Sequence, residues 1–287
     1  MFKFAKYHGC GNDFILVRKK DIESADYAGI AVEVCHRHTG LGADGFIIVG
    51  EGPEKDIPVE MIFYNSDGSL APMCGNGIRC FAHYCHDEGI VTEDIYSVKT
   101  GAGTMIVGVQ SRDPFKVEID MGKPDFDTKA SAIDTDLPEF LAQKVQVDEW
   151  TVPLSTFFMG TIHTVVWNED IPVFDKEAFG AKLSNHPIFK EKTNVNMVKV
   201  IDRNTISLMT YERGAGMTLA CGTGACASVV CGIKEGRLND RVKVILPLGE
   251  LIVTRKEDGN IFMQGPSEKV ADGILAQVSE SSDNYTK

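Results

Sequence analysis

The chain has 287 residues, of which 43% are hydrophobic and 24% charged, a composition typical of a globular protein with one large or two medium domains. Its formal net charge of −12 argues against a nucleic-acid partner, because binding to phosphates requires a basic surface. The N-terminus lacks the apolar segment of a signal peptide, and no apolar run approaches the roughly 18 residues of a membrane span. We therefore expect a cytoplasmic protein with no membrane partner and with reduced cysteines.

The first part of the chain is predicted to alternate between strands and helices. Residues 3–20 predict two strands joined by a tight loop at 9–13, and a helix over 25–38 follows, with Ser24 as its N-cap. Residues 40–45 match G-x-G-x-x-G, but a helix precedes them and a strand at 46–49 follows. This order is the reverse of the one that a dinucleotide site requires, so we reject a nucleotide site here. A strand at 59–64 then leads into a helix over 75–88 that Gly89 closes, and strands follow near 95–98, 105–109 and 116–121.

The second half repeats this plan after a stretch rich in Asp, Pro and Thr that begins near 122–124. Strands are predicted within 152–167 around a loop at 160–163, and at 195–200 and 205–211; helices are predicted over 174–183 and 222–235. We assign a first domain to residues 1–122 and a second to residues 123–265. The tail, 266–287, is expected to pack back on the first domain, with 279–287 frayed.

Two segments separated by a constant offset of 147 residues resemble each other. Residues 64–89 read YNSDGSLAPMCGNGIRCFAHYCHDEG, and residues 211–236 read YERGAGMTLACGTGACASVVCGIKEG. Six of these 26 positions are identical, and three of the six form a C-G-x-G core that begins at Cys74 and at Cys221. The sequence therefore predicts an internal duplication with one cysteine at the start of a helix in each copy.

A cysteine at a helix N-terminus meets unpaired backbone N–H groups and the positive end of the helix dipole, which stabilise a thiolate. The glycines that follow Cys74 and Cys221 leave those N–H groups open to an anion such as a carboxylate. Two such thiols, related by symmetry, predict a cleft with one thiol on each wall. Two opposed acid/base groups can invert a stereocentre, because one removes a proton from one face while the other delivers a proton to the opposite face. This chemistry requires no cofactor.

Other uses of the cysteines are less consistent with the spacing. Cys80 and Cys85 are five residues apart, as are Cys226 and Cys231, so each pair lies about 140° apart around a helix. No Cys-x-x-Cys is present, which argues against structural zinc and against a disulfide oxidoreductase. We interpret these four as small residues of the core. Taken singly, Cys74 and Cys221 could also be packing residues, and only their duplication favours chemistry.

Six segments resemble the diaminopimelate epimerase family: HGCGNDF (8–14), RHTGLGADG (37–45), YNSDGS (64–69), MCGNGIRC (73–80), TNVN (193–196) and YERGAGMTLACGTGACA (211–227). They are collinear over nearly the whole chain. The resemblance implies a cofactor-independent epimerase that interconverts LL- and meso-diaminopimelate for lysine and cell-wall synthesis. It also implies a mixed α/β fold with two pseudo-symmetric domains, each a sheet wrapped around a central helix, and a homodimer.

The resemblance further assigns roles to individual residues. It makes Cys74 and Cys221 the base/acid pair, with their pKa values tuned by His163 and Glu212. The residues that hold the reacting amino-acid end of the substrate would be Asn12, Gly75, Asn76, Gly222 and Thr223. Those that hold the distal end would be Asn65, Asn194, Glu212 and Arg213. No metal site is implied.

The chain departs from the family at Thr161-Ile162-His163, where Asn-Pro-His is typical. The change removes an amide that the family assigns to the distal end of the substrate, although the Thr161 hydroxyl can still form a hydrogen bond. Gly45 likewise has no side chain where some members have glutamine. Two alternatives follow: a racemase of another amino acid, such as histidine, and a catalytically silent amino-acid-binding protein. Retention of Glu212 and Arg213 favours diaminopimelate.

Overall fold

The structure is a computed structural model that describes residues 1–22, 26–171 and 175–275. The helices of the described chain are α1 (Tyr27–Cys35), α2 (Gly75–Asp87), α3 (Lys176–Ser184) and α4 (Gly222–Lys234). Its strands are β1 (Phe2–Gly9), β2 (Asn12–Arg18), β3 (Gly45–Glu54), β4 (Ile57–Asn65), β5 (Leu70–Ala71), β6 (Ile95–Thr100), β7 (Gly103–Arg112), β8 (Phe115–Asp120), β9 (Phe140–Val147), β10 (Trp150–Phe158), β11 (Ile162–Trp167), β12 (Asn194–Asp202), β13 (Thr205–Glu212), β14 (Gly216–Thr218), β15 (Arg241–Leu246), β16 (Gly249–Arg255), β17 (Ile261–Pro266) and β18 (Glu268–Leu275).

The chain divides into two compact units. The first comprises Met1–Ile119 together with the chain from Gly265 onward, and the second comprises Asp120–Gln264. Division into functional domains at 1–122 and 123–265 remains a proposal. No helix in the described part of the chain is long and apolar enough to span a bilayer.

The first unit contains a mixed sheet. Strand β1 pairs antiparallel with both β18 and β2, and β2 runs parallel to β3. Strand β3 pairs antiparallel with β4, which runs parallel to β6, and antiparallel pairs β6–β7 and β7–β8 complete the order. The short strand β5 pairs with β4 just before α2 begins. The order within this unit is therefore β18-β1-β2-β3-β4-β6-β7-β8.

The second unit repeats this order with the same strand directions. Its strands run β9-β10-β11-β12-β13-β15-β16-β17, with parallel pairs at β11–β12 and β13–β15 and antiparallel pairs elsewhere. The short strand β14 pairs with β13 before α4, as β5 pairs with β4 before α2. The mixed α/β class predicted from the sequence is thus confirmed.

Residues that alternate along the central strands face different helices, because successive side chains of a strand point to opposite sides of the sheet. Ile15 and Val17 of β2, with Phe46 and Ile48 of β3, pack in one cluster with residues of α1. The alternate residues Phe14 and Ile47 lie beside the first turn of α2. Both faces of these strands are buried, which explains why they are apolar without a break.

The cysteine helices end as the sequence predicts. Glu88 is the C-cap of α2 and Glu235 that of α4, and the following residues, Gly89 and Gly236, have φ of 61° and 73°. Glycine adopts this left-handed region with almost no conformational strain, whereas other residues are strained there. This is why glycine follows the C-cap of both helices.

The structure differs from the sequence prediction at the helix α1 and at the strand β9. The helix predicted over 25–38 is observed over Tyr27–Cys35, because the side chain of Asp26 accepts a hydrogen bond from the Gly29 amide and His36 has extended backbone angles. Ser24, the predicted N-cap, lies outside the described residues, as do Phe174 and 276–287. Strand β9 was missed, because its exposed positions 142, 144 and 146 make it resemble a polar linker.

Candidate active site

The first cysteine is the N-cap of α2. Cys74 has extended backbone angles (φ −139°, ψ 122°), and its Sγ accepts a hydrogen bond from the amide of Gly77 at 3.4 Å. Cys74 is partly exposed, whereas the other seven cysteines are buried. The thiol therefore occupies the position of an N-capping side chain and remains reachable from solvent.

Asn12 lies beside this thiol and has a fixed amide orientation. Its Nδ2 donates to Oδ2 of Asp44 at 2.6 Å, and its Oδ1 accepts from Nδ2 of Asn76 at 3.0 Å. The same Oδ1 lies 3.9 Å from Sγ of Cys74, which can donate its S–H to it. Because Asp44 holds the amino group, the carbonyl oxygen of Asn12 faces the thiol and Asn76.

A charged network holds the loop that carries Asn12. The side chain of Asp13 contacts Lys6 at 2.9 Å and Arg37 at 2.9 Å, and Arg37 also contacts Asp44 at 2.7 Å. Burial alone would raise the pKa of Asp13, but the hydrogen bonds from Arg37 and Lys6 hold it below its usual value. Asp44 was missed from sequence, although its place directly before β3 offers a signal, since polar residues at strand ends often serve sites.

Asn65, predicted to bind the distal end, stands at the end of β4. Its Nδ2 donates to the hydroxyl of Ser69 at 2.9 Å, and its backbone N–H donates to the carbonyl of Ser69 at 2.9 Å. The side chain thus closes its own turn. Gly75, also predicted, is the first residue of α2 and is buried.

The second cysteine is the N-cap of α4. Cys221 is only 5% exposed, and its Sγ lies 3.6 Å from the hydroxyl of Thr223. Burial raises the pKa of the Cys221 thiol well above its usual value, the Glu212 carboxylate raises it further, and the Thr223 hydroxyl opposes both. Burial of this thiol therefore opposes the stabilisation that the helix start was expected to give to a thiolate.

Glu212 and Arg213, which follow each other at the end of β13, have different environments. The hydroxyl of Thr218 donates to Oε1 of Glu212 at 2.6 Å. The backbone N–H of Arg213 donates to Oδ1 of Asn194 at 2.9 Å, and its Nη1 donates to the carbonyl of Glu191 at 2.7 Å. The structure therefore brings together Asn194 and Arg213, two residues that were predicted to bind the distal end.

Thr161 also contacts Arg213. Its Oγ1 accepts a hydrogen bond from Nη2 of the Arg213 guanidinium at 2.9 Å. Thr161 was considered a substitute contact to the substrate, but in the structure its oxygen is bound to this guanidinium.

His163 is fully buried on β11 and is paired with a residue that sequence reasoning missed. Its Nδ1 lies 3.1 Å from Nδ2 of Asn196, which also donates to the backbone carbonyl of Thr164 at 3.2 Å. Oδ1 of Asn196 accepts from the hydroxyl of Thr210 at 3.1 Å. Burial lowers the pKa of His163 to about 3, and the positive charge of Arg213 acts in the same direction. His163 is therefore neutral at physiological pH.

Polar residues of the second unit share one face of its central strands. His163 pairs with Asn194, Asn196 pairs with Thr210, and Glu212 lies two positions after Thr210. Period-two alternation therefore places their side chains on one side of the sheet. The signal for Asn196 was present in the sequence, since NVN puts two amides on the same face of an apolar strand. No three His, Cys, Asp or Glu side chains within 1–22, 26–171 and 175–275 are arranged to hold a metal ion.

The family model of diaminopimelate epimerase matches residues 4–126 and 156–270. The diaminopimelate epimerase of Clostridium perfringens is 43% identical over 275 residues, which cover 94% of this chain and 98% of that protein. The chain belongs to the diaminopimelate epimerase family. The enzyme of that name from Alkaliphilus metalliredigens is 39% identical over 277 residues, 95% of this chain and 96% of that protein.

Solved structures of low sequence identity share the fold of this diaminopimelate epimerase family member. A hydroxyproline epimerase from Agrobacterium vitis has a TM-score of 0.70 at 11% identity, covering 95% of this chain and 91% of that chain. A probable proline racemase from Agrobacterium radiobacter has a TM-score of 0.70 at 14% identity, covering 99% of this chain and 95% of that chain.

Proposed function

We propose that this protein interconverts LL- and meso-diaminopimelate, the reaction of its family in lysine biosynthesis. The reaction inverts one Cα. A thiolate removes the Cα proton, the electron pair delocalises into the adjacent carboxylate, and a thiol delivers a proton to the opposite face. The thiolate has become a thiol and the thiol a thiolate, so no electrons are gained or lost and the reverse reaction uses the same groups.

The observation that carries the proposal is the pair of N-cap cysteines. Cys74 and Cys221 occupy the same position in two units of identical strand order. Each is the N-cap of a helix whose first residue is glycine. Backbone N–H groups at these helix starts can stabilise the charge that develops on the carboxylate. We assign the reacting end of the substrate to Asn12, Gly75, Asn76, Gly222 and Thr223.

The raised pKa of Cys221 supports different starting roles for the two cysteines, one as acid and the other as base. Because its pKa is raised, Cys221 starts as the thiol, and Cys74 is proposed as the base of the first half-reaction. Glu212 tunes Cys221 through its negative charge, which disfavours the thiolate. His163 is neutral, so it can act on a cysteine through a hydrogen bond but not as a cation.

The distal end of the substrate carries a carboxylate and an ammonium group, which require opposite charges. We assign this end to Asn65, Asn194, Glu212 and Arg213. The guanidinium of Arg213 is already oriented by the carbonyl of Glu191 and the hydroxyl of Thr161. An oriented guanidinium binds a carboxylate at less entropic cost than a free one.

The contact between Thr161 and Arg213 weakens the main argument for another substrate. A racemase of a different amino acid, such as histidine, was suggested by Thr161 in place of asparagine. Since Thr161 supports Arg213, its presence is compatible with a distal carboxylate. We further propose a cytoplasmic homodimer without nucleic-acid or membrane partners, for which size-exclusion chromatography with light scattering tests the dimer.

The test is epimerisation of LL-diaminopimelate in deuterated water. Cys74→Ala and Cys221→Ala should each reduce the rate at least about a hundredfold, the usual contribution of a general acid or base. Cys226→Ala, which removes a buried thiol one turn into α4, is the matched control and should retain activity. Full activity of either active-site variant would reject the two-thiol mechanism. A panel of other amino acids, histidine included, tests the substrate.

A further inference from the structure

The two cysteine helices start above different side chains. In the first unit, Phe14 pairs with Gly45 and Leu16 with Ile47; in the second, His163 pairs with Asn194 and Val165 with Asn196. Since the strand orders match, Phe14 corresponds to His163 and Ile47 to Asn196. A Cβ built on Gly77 would lie 3.2 Å from Ile47 and 3.6 Å from Phe14, and one built on Gly224 would lie 2.3 Å from Asn196. An apolar pair below α2 is thus replaced by a polar pair below α4.

The hydrogen bonds of Asn196 fix the orientation of its amide. A backbone carbonyl can only accept, so the contact to the Thr164 carbonyl at 3.2 Å must come from the amino group, Nδ2. The opposite end, Oδ1, then accepts from the hydroxyl of Thr210 at 3.1 Å. Both polar ends of this fully buried side chain are satisfied in one orientation.

This orientation determines where His163 carries its proton. The amino group of Asn196 directs a second hydrogen to Nδ1 of His163 at 3.1 Å, so Nδ1 must be an unprotonated acceptor. The single proton of the neutral ring is then on Nε2. That nitrogen is buried and has no hydrogen-bond partner among the described residues, so it is a donor still available to the site.

We propose that Asn196 is a positioning residue that holds His163 in its Nε2–H tautomer below the first turn of α4. A neutral donor suits a reaction in which Cys221 must alternate between thiol and thiolate. An imidazolium there would stabilise the thiolate and hinder the return of its proton. The inference rests on the proposed function only for this kinetic consequence, because the tautomer can be observed without turnover.

Arg213, at the end of β13, is the charged residue that acts on His163 and lowers the pKa of the ring. Glu212 and Thr223 act on Cys221 at the start of α4. Arg213 disfavours a second cation, whereas a carboxylate in place of the Asn196 amide would favour one. Asn196→Asp is therefore the sharpest variant, since it keeps the size of the side chain and turns its hydrogen donor into an acceptor.

The experiment is long-range ¹H–¹⁵N correlation on protein labelled with ¹⁵N-histidine, with His163→Gln to assign the signals. Wild-type His163 should show a protonated Nε2 and an unprotonated Nδ1 from pH 5 to pH 9. In Asn196→Asp, Nδ1 should become protonated, and kcat/KM should gain an ionisation within this range. Asn196→Ile, which copies Ile47 of the first unit, is the second variant in case Asn196→Asp does not fold. It removes the hydrogen bond to Nδ1 and should give a mixture of the two His163 tautomers.

The outcomes separate the two proposals. A protonated Nδ1 in the wild-type protein, or an unchanged tautomer in both variants, would overturn the role of Asn196. Loss of stability with an unchanged tautomer would mean that Asn196 is only a packing residue, which also overturns it. The expected tautomers in a protein that does not epimerise diaminopimelate would reject the proposed function and leave this inference standing.

Discussion

The two cysteines are equivalent in sequence but not in environment. Cys74 is partly exposed and lies beside a carbonyl oxygen of Asn12, whose amide orientation Asp44 fixes. Cys221 is buried, and a carboxylate, Glu212, raises its pKa beyond the effect of burial. A reaction that moves a proton from one thiol to the other through the substrate requires the two to begin in different protonation states, and burial together with Glu212 favours the thiol form of Cys221.

We predict that iodoacetamide labels Cys74 before Cys221 in the unliganded protein. Alkylation requires an accessible thiolate, and Cys221 is both buried and shifted toward the thiol. Because its pKa is raised, the thiolate fraction of Cys221 should increase about tenfold per pH unit between pH 7 and pH 9. Peptide mass spectrometry at several time points measures both sites, and Cys80, fully buried with a pKa of about 12, is the internal control. Faster labelling of Cys221 would contradict the assignment.

The first turns of α2 and α4 pack against different side chains. Gly77 lies above Ile47 and Phe14, which can shift by a few tenths of an ångström, whereas Gly224 lies against the Oδ1 of Asn196. Asn196 is held by Thr164, Thr210 and His163 and cannot move without breaking hydrogen bonds. A side chain should therefore be tolerated at Gly77 of α2 but not at the equivalent Gly224 of α4.

Alanine at these two positions should have unequal effects on stability. Gly77→Ala should change the free energy of unfolding by less than about 1 kcal/mol, because the helix propensity of alanine offsets a small clash. Gly224→Ala should cost about 1–3 kcal/mol, the usual cost of overpacking, and should reduce activity by displacing Asn196. Urea denaturation of the two variants, each compared with the wild type, measures the difference. Equal losses in the free energy of unfolding for the two variants would show that His163 and Asn196 below α4 can move to accommodate the added methyl group.

Sequence alone predicted the elements whose signals are local. The C-G-x-G repeat located both cysteine helices, and Gly89 and Gly236 marked their ends, since a left-handed residue after a helix requires glycine. Strand β9 was not recognised, because its buried apolar residues Val145 and Val147 alternate with the polar residues Lys144 and Gln146. Its burial depends on a pairing with β10 that no local pattern encodes.

The predicted site shows the same limit. Cys74, Asn12 and Asn76 are in one cluster of hydrogen bonds, and Arg213 and Asn194 are in another. Asn196 was missed because its significance arises from the strand register that places it against His163. The NVN pattern places Asn196 on the same face as Asn194, but no pattern within that segment shows that it contacts His163 on another strand.

At the scale of the whole molecule, the two units have the same strand order but obtain their outermost strand differently. The second unit builds β9 from the segment directly before β10, whereas the first receives β18 from the end of the chain. Strand β18 pairs with β1 from Phe2 opposite Leu275 to His8 opposite Glu268. The first unit is therefore complete only when the C-terminal strand has been synthesised, which raises the sequence separation of its contacts.

Removal of β18 should thus destabilise the first unit selectively. A chain that ends at Ser267 loses the β1–β18 ladder but retains the contacts of Pro266 with Arg79 and of Ser267 with His83. At roughly 0.5–1.5 kcal/mol for each lost hydrogen bond, the free energy of unfolding should fall by at least about 3 kcal/mol. A chain that ends at Leu275 keeps all of β18 and is the matched control. Hydrogen exchange should show faster exchange of the β1 amides in the shorter chain, while the β10–β13 amides of the second unit keep their protection. Equal protection of β1 in both truncated chains would show that β18 contributes little to the first unit.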